Sequence, residues 1–151
     1  MDAVRELFRE YAKWVGSPIC FASFERELSE LPGRYSPLLV AEPTFRAATA
    51  RERLPVPLAG CAALRKLSDT IGEIKRLYVR PAYQGTGLGR QLIEQVVAEA
   101  KAAGYHQLRL DTLPIMERAI SLYRQFGFHE IPRYGDNPEE AICFELRLHC
   151  Q

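Results

Sequence analysis

"RLYVRPAYQGTGLGRQLIEQ" occupies Arg76 to Gln95 and reads as a strand that hands over to a helix, with Gly85, Gly87 and Gly89 between them. Glycine weakens regular structure by about 0.5–1 kcal/mol relative to alanine, so three within five positions need a reason. Either the turn is sharp, or something approaches its backbone closely.

Outward from this junction, the 151 residues read as one domain, 1–151, long enough to bury a core. The chain is 47% hydrophobic and 26% charged, a soluble globular composition rather than a disordered one. Lys and Arg total 20 against 19 Asp and Glu, a formal charge of +1, which argues against nucleic acid or a membrane surface as general partner. No apolar run approaches the ~20 residues of a membrane span, and "MDAVRELFREY" lacks the apolar centre of a signal peptide. Cys20, Cys61, Cys143 and Cys150 form no CxxC pair and read as reduced thiols of a cytoplasmic protein. His106, His129 and His149 lack ligand spacing, so no metal is expected.

Val4, Leu7, Phe8, Tyr11 and Val15 recur at helical spacing until Gly16. A second helix opens at Ser17-Pro18, with Phe21, Phe24, Leu28 and Leu31 on one face, and ends at Pro32-Gly33. "PLLVAE" (37–42), "LAGCAALRKL" (58–67) and "TIGEIKRLYVRP" (70–81) read as strands of an antiparallel meander, and "PTFRAATARERLPVP" (43–57) as a loose connection or widened hairpin. Leu88, Leu92, Ile93, Val96, Val97 and Ala100 mark the helix after the glycines, closed by Gly104. "HQLRLDTL" (106–113) is a strand. Pro114 then opens a helix carrying Ala119, Ile120, Leu122, Tyr123 and Phe126, which stops at Gly127. "FHEIPRY" (128–134) and "AICFELRLHC" (141–150) are closing strands around the turn "GDNPEE".

A helix N-terminus exposes unpaired N–H groups and about half a positive charge, so it attracts anions. A loop stripped of side chains lets a phosphate reach those amides. The structural alternative is a plain tight turn, for which one glycine would suffice. A P-loop needs GxxxxGK[ST], and Arg90 stands five positions after Gly85 with no Gly-Lys pair. A dinucleotide-binding GxGxxG also fails at Arg90, although Asp111 imitates its ribose-binding acid. The meander upstream and the short remainder downstream leave no room for the repeated βαβ units that such a sheet requires.

What remains is Gln84-x-x-Gly87-x-Gly89 after "LYVRPAYQ". This resembles the acyl-CoA loop of the GNAT superfamily of N-acyltransferases. Downstream, "AISLYRQFGFHEI" (119–131) is similar to the family's second signature, Ala-x-x-Leu-Tyr-x-x-x-Gly-Phe. "GEIKRLYVRP", "LDTLP-M" and "Y-DNP" look like a group of small bacterial acetyltransferases. The resemblance implies a mixed α/β fold: a mostly antiparallel sheet flanked by about four helices and splayed at the acyl-CoA site.

Carried over residue by residue, the resemblance implies that the backbone of Leu77, Tyr78 and Val79 meets the pantetheine arm, with the Val79 N–H facing the thioester oxygen. Gln84, Gly85, Thr86, Gly87, Leu88 and Gly89 would present amides to the pyrophosphate. Arg90 would add a charge there, or simply be a solvated arginine. Two proton movements are needed. An alkyl ammonium has a pKa near 10, so its proton must be taken before nitrogen attacks. Glu73 stands where many members keep a base; its structural alternative is a salt bridge to Lys75, Arg65 or Arg76. Tyr123 stands in the general-acid position that protonates the leaving thiolate, or else is only a core aromatic. Met116 stands where the family often has an asparagine that contacts the pantetheine, so that contact is expected to be missing or replaced through Thr112 or a backbone group.

The expected function is transfer of an acetyl group from acetyl-CoA to a primary amine of a small molecule or peptide, by direct attack through a tetrahedral intermediate. A non-catalytic acyl-CoA-binding regulatory or interaction module is the alternative. The acceptor pocket is expected from the first two helices, the 43–57 connection and the "RYGDNPEE" turn. Arg34, Tyr35, Tyr134, Asp136 and Asn137 are candidate contacts there, or build only their own turns. The sequence opens on a helix without the family's usual first strand, so one sheet edge is expected either to be shorter or to be covered by a partner, such as a second copy in a homodimer.

Overall fold

The chain folds in the order α1 (Asp2–Val15), α2 (Phe21–Glu30), β1 (Tyr35–Ala41), β2 (Ala47–Thr49), β3 (Gly60–Lys66), β4 (Ile71–Val79), α3 (Leu88–Ala102), β5 (Gln107–Thr112), α4 (Glu117–Gln125), β6 (His129–Ile131) and β7 (Ile142–Arg147). The structure is a computed structural model, and it describes residues 1–16, 21–42, 47–49 and 58–149. Within them the strands form one sheet of order β2-β1-β3-β4-β5-β7-β6. Every neighbouring pair is antiparallel except β4 and β5. The expected mixed, mostly antiparallel sheet with four helices is what forms.

Strands β1 and β3 are apolar over 38–41 and 60–64 because both faces are covered there. Leu38, Val40, Cys61 and Ala63 pack with Val4, Leu7 and Phe8 of α1 and Phe24 and Leu28 of α2. Leu39, Ala41, Ala62 and Leu64, one residue out of phase, pack with Leu88, Leu92, Ile93 and Val96 of α3. Each fully buried Leu, Ile or Phe contributes about 1.5–3 kcal/mol. The period of two thus sends alternate side chains to two separate cores.

Two features of β4 open the sheet. Its parallel pairing with β5 is confined to Ile71↔Gln107, Gly72↔Leu108 and Glu73↔Arg109. Beyond that point β4 keeps its bonds to β3 as far as Val79, while β5 follows β7 to Thr112. The two central strands therefore part. In the same stretch the β3–β4 register slips between Cys61↔Tyr78 and Ala63↔Lys75, so Arg76 and Leu77 together face Ala62. This is a β-bulge, and it holds Arg76 at φ 55, a left-handed conformation that a non-glycine residue adopts only where its surroundings enforce it. The Cys61 thiol donates to the Arg76 carbonyl at 3.3 Å, and the Arg76 guanidinium makes two bonds to Glu27 of α2, at 2.9 and 2.7 Å.

Several boundaries differ from expectation. The helix expected from Pro114 begins at Glu117, because a turn closed by Met116 N–H to the Leu113 carbonyl (3.0 Å) precedes it. The strand expected over 128–134 stops at Ile131, where Pro132 supplies no N–H to the ladder. Part of the 43–57 connection does form a hairpin strand, β2, on the free edge of β1; residues 43–46 and 50–57 lie outside the described residues. So do Ser17-Pro18, Cys20, Cys150 and the side chain of Phe21. No helix among the described residues is long and apolar enough to cross a membrane.

Candidate active site

The turn between β4 and α3 opens with two backbone bonds, Tyr83 N–H to the Arg80 carbonyl at 2.9 Å and Gln84 N–H to the Pro81 carbonyl at 3.3 Å, so the Gln84 amide is committed; side chains hold the rest. Gln84 Nε2 reaches back to the Val79 carbonyl at 3.1 Å, and the Thr86 hydroxyl donates to the Tyr83 carbonyl at 2.5 Å. The amides of Gly85, Thr86, Gly87, Leu88, Gly89 and Arg90 have no acceptor among the described residues; the first bond of the helix end is Gln91 N–H to the Gly87 carbonyl. Gly85 (φ 78) and Gly87 (φ 86) are left-handed, which answers part of the glycine question. Gly89 is different. A Cβ there would meet only Leu122 at 3.6 Å and Val79 at 3.8 Å, ordinary contact distances. The fold does not need glycine at 89, so its bareness is available to a ligand.

The amides of Gly85, Gly87, Gly89 and Arg90 open on a cavity of about 560 Å3 at the gap between β4 and β5. From one face of the sheet Tyr11 and Trp14 of α1 line it; from the other, Ala119, Leu122 and Tyr123 of α4. Two ligands can therefore meet inside it from opposite sides. Leu77, Tyr78, Val79, Gln84, Gly85, Gly87, Gly89 and Arg90 all line this cavity. Thr86 and Leu88 do not: Thr86 turns to Tyr83, and the Leu88 side chain is core. Arg90 is tied to Gln125 Oε1 at 2.5 Å and lies 5.3 Å over the Phe126 ring, at the cavity edge.

Tyr123 reaches the cavity from a buried helix face, its ring set edge-on to Phe128. Burial pushes its phenol far above the ordinary value, and the negative fields of Tyr11 and Asp111 add to this, so Tyr123 keeps its proton. Tyr11 is likewise pushed up to about 12 by burial, against the opposing pull of Arg76.

Glu73 is placed otherwise. It is fully buried and not on the cavity wall. One carboxylate oxygen accepts from Arg65 Nε at 2.5 Å, with Lys75 Nζ at 3.5 Å; the other accepts from the Tyr134 hydroxyl at 2.5 Å. The salt-bridge arrangement is the one observed. From Lys75 the chain of contacts runs on to Asp111 Oδ1 at 2.6 Å, and Asp111 does line the cavity. Arg109 and Glu145, paired at 2.8 Å, continue this polar ladder on the half of the face that α1 and α2 leave uncovered.

Asp111, Lys75 and Tyr11 are thus site residues to which sequence reasoning gave no role in the reaction. Their signal was present: Gln107, Arg109 and Asp111 alternate with Leu108, Leu110 and Thr112, a polar face on a strand central to the sheet. Thr112, buried, donates to Met116 Sδ at 3.1 Å, so these two satisfy each other. Among the expected acceptor contacts only Tyr134 touches the ladder. Asn137 bonds the Tyr134 carbonyl and Arg133 the Asn137 carbonyl, which builds the turn itself. Tyr35 bonds Glu27.

A parted parallel strand pair, with a bare helix N-terminus at its mouth, defines the acyltransferase class of mixed α/β proteins. The comparisons agree. An uncharacterized N-acetyltransferase of Schizosaccharomyces pombe is 32% identical over 98% of this chain and 87% of its own. The IAA acetyltransferase of Azospirillum brasilense is 32% identical over 89% and 82%. The structure of YncA from Salmonella typhimurium, with its cofactor acetyl-CoA, superposes with a TM-score of 0.68 at 20% identity over 99% and 89%. The Acetyltransferase (GNAT) family pattern matches residues 1–128. The chain belongs to that family of enzymes.

Proposed function

We propose that the protein transfers an acetyl group from acetyl-CoA to a primary amine by direct attack. The observation that carries this is the set of uncommitted amides at Gly85, Gly87, Gly89 and Arg90 on the wall of a cavity lined from both faces of the sheet. They suit a pyrophosphate, and the unpaired flank of Leu77, Tyr78 and Val79 suits the pantetheine arm. Bound acetyl-CoA supplies an activated thioester. The Val79 N–H stabilises charge that develops on the thioester oxygen, and Tyr123 protonates the leaving sulfur. Glu73 acts from behind the wall: with Lys75 and Arg65 it holds the charge balance on which the cavity carboxylate depends. The buried thiols Cys61 and Cys143 suit a reducing, cytoplasmic setting.

The test is free-thiol release from acetyl-CoA against a panel of amines, with acetyl-CoA binding measured separately by calorimetry. Binding together with amine-dependent turnover is expected. Binding without turnover for any amine would leave the non-catalytic acyl-CoA module as the better reading.

A further inference from the structure

The cavity's two ends differ in chemistry. On the α3–α4 side lie the bare amides; on the α1 side lie rings and one carboxylate. Tyr11 and Trp14 each stand 6.0 Å, centroid to centroid, from Tyr78, forming an aromatic shelf on the face away from the amide cradle. Trp14 keeps 47% of its surface exposed, much for a large apolar ring. Ile115, at 72%, lies across the opening on the β5–α4 turn.

The charges at this end are unevenly committed. Arg76 is held by both oxygens of Glu27, and Lys75 by Asp111 and Glu73. Both cations beside Tyr78 and Asp111, Lys75 and Arg76, are therefore committed; the cavity's arginine without a partner among the described residues, Arg118, stands on α4, away from the shelf. Asp111 uses only Oδ1, on Lys75; Oδ2 has no partner among the described residues. Asp111 lines the cavity together with Tyr11 of α1 and Tyr123 of α4, where β4 and β5 have parted.

Resting on the transferase reading above, we propose that the acceptor is an arylalkylamine without a carboxylate, its ring on the Tyr11–Tyr78–Trp14 shelf and its ammonium on Asp111. Asp111 takes one proton from the ammonium. The freed nitrogen forms a bond to the thioester carbon, the carbon–sulfur bond breaks, and the sulfur takes Tyr123's proton. The surplus proton on the new amide nitrogen restores the phenol. Lys75 is a positioning residue, fixing the Asp111 carboxylate in the gap.

Wild-type protein is assayed at saturating acetyl-CoA with 2-phenylethylamine, tryptamine, hexylamine, spermidine and L-phenylalanine. The aryl amines are expected to exceed hexylamine about 10-fold in kcat/KM through ring contact, and L-phenylalanine by more. Trp14→Ala, at an exposed position, should erase most of the aryl preference without moving the KM for acetyl-CoA. Asp111→Asn should lower kcat/KM for the amine about 100-fold, with Asp111→Glu partly restoring it and acetyl-CoA affinity held. Preference for spermidine, hexylamine or the amino acid overturns the assignment while leaving the transferase reading in place. So does a Trp14→Ala effect on acetyl-CoA instead of the amine. Failure of acetyl-CoA to bind at all would remove the underlying reading as well.

Discussion

A phenol held protonated by burial can hydrogen-bond a departing thiolate, but since a thiol (pKa about 8.5) is the stronger acid, it passes its proton on only as the surplus proton of the new amide replaces it. Tyr123 is such a phenol: it is buried, on the cavity wall and shifted upward. Tyr123→Phe should therefore lower kcat about 100-fold or more while acetyl-CoA affinity stays within a factor of about three, read by thiol release and calorimetry. A second residue-scale expectation concerns Glu27. Burial alone would raise its carboxyl, but the bonds from Arg76 outweigh this and hold it below its ordinary 4.5. A carboxyl depressed on folding stabilises above its unfolded pKa, and that stability is lost as pH falls through the lower folded value. Glu27→Gln should cost about 3 kcal/mol at neutral pH, since it strands the bulge arginine. The gap from wild type should close as the pH drops below 4.5, measured by denaturant unfolding across pH.

At the scale of elements, the start of α3 separates what the fold needs from what the ligand needs. Gly87 is the N-cap at φ 86, so Gly87→Ala strains the turn and should cost about 1 kcal/mol in stability along with acetyl-CoA affinity. Gly89 sits in the first helical turn with room for a methyl group. Gly89→Ala should leave the melting temperature unchanged or raise stability by about 0.5 kcal/mol, yet weaken acetyl-CoA binding, because the methyl stands where the pyrophosphate must approach. A stabilised variant with unaltered binding would contradict the cradle. The motif was legible because all three glycines lie within five residues: Gly85 and Gly87 serve the backbone geometry, and Gly89 stands out by its spacing from them.

For the molecule as a whole, one ligand bridging β4, the turn and α4 should tie the two halves of the parted sheet together. Acetyl-CoA at about 100 times its Kd adds about 2.7 kcal/mol to stability. For a chain of 151 residues that is a rise of roughly 5–10 °C in Tm, checked by differential scanning fluorimetry with CoA and a simple adenine nucleotide as comparisons. A nucleotide lacking the pantetheine arm should stabilise less, because it leaves the β4 flank unpaired.

The order of elements, the two-faced strands and the glycine turn follow from the sequence itself, since periodicity and glycine spacing act over a few neighbouring residues. Tyr123's position was singled out by the short family-like run around one helix, and the structure puts it on the cavity wall. The ion pairs of Glu73 with Arg65 and Lys75 were among the alternatives the sequence offered; its place behind the cavity wall was not, because Tyr134 closes on it from a distant turn. Nor was Asp111's place on the wall, which depends on β4 and β5 parting after Glu73↔Arg109. Which carboxylate is walled in and which faces the gap is settled by pairings between distant strands, and no local pattern encodes them.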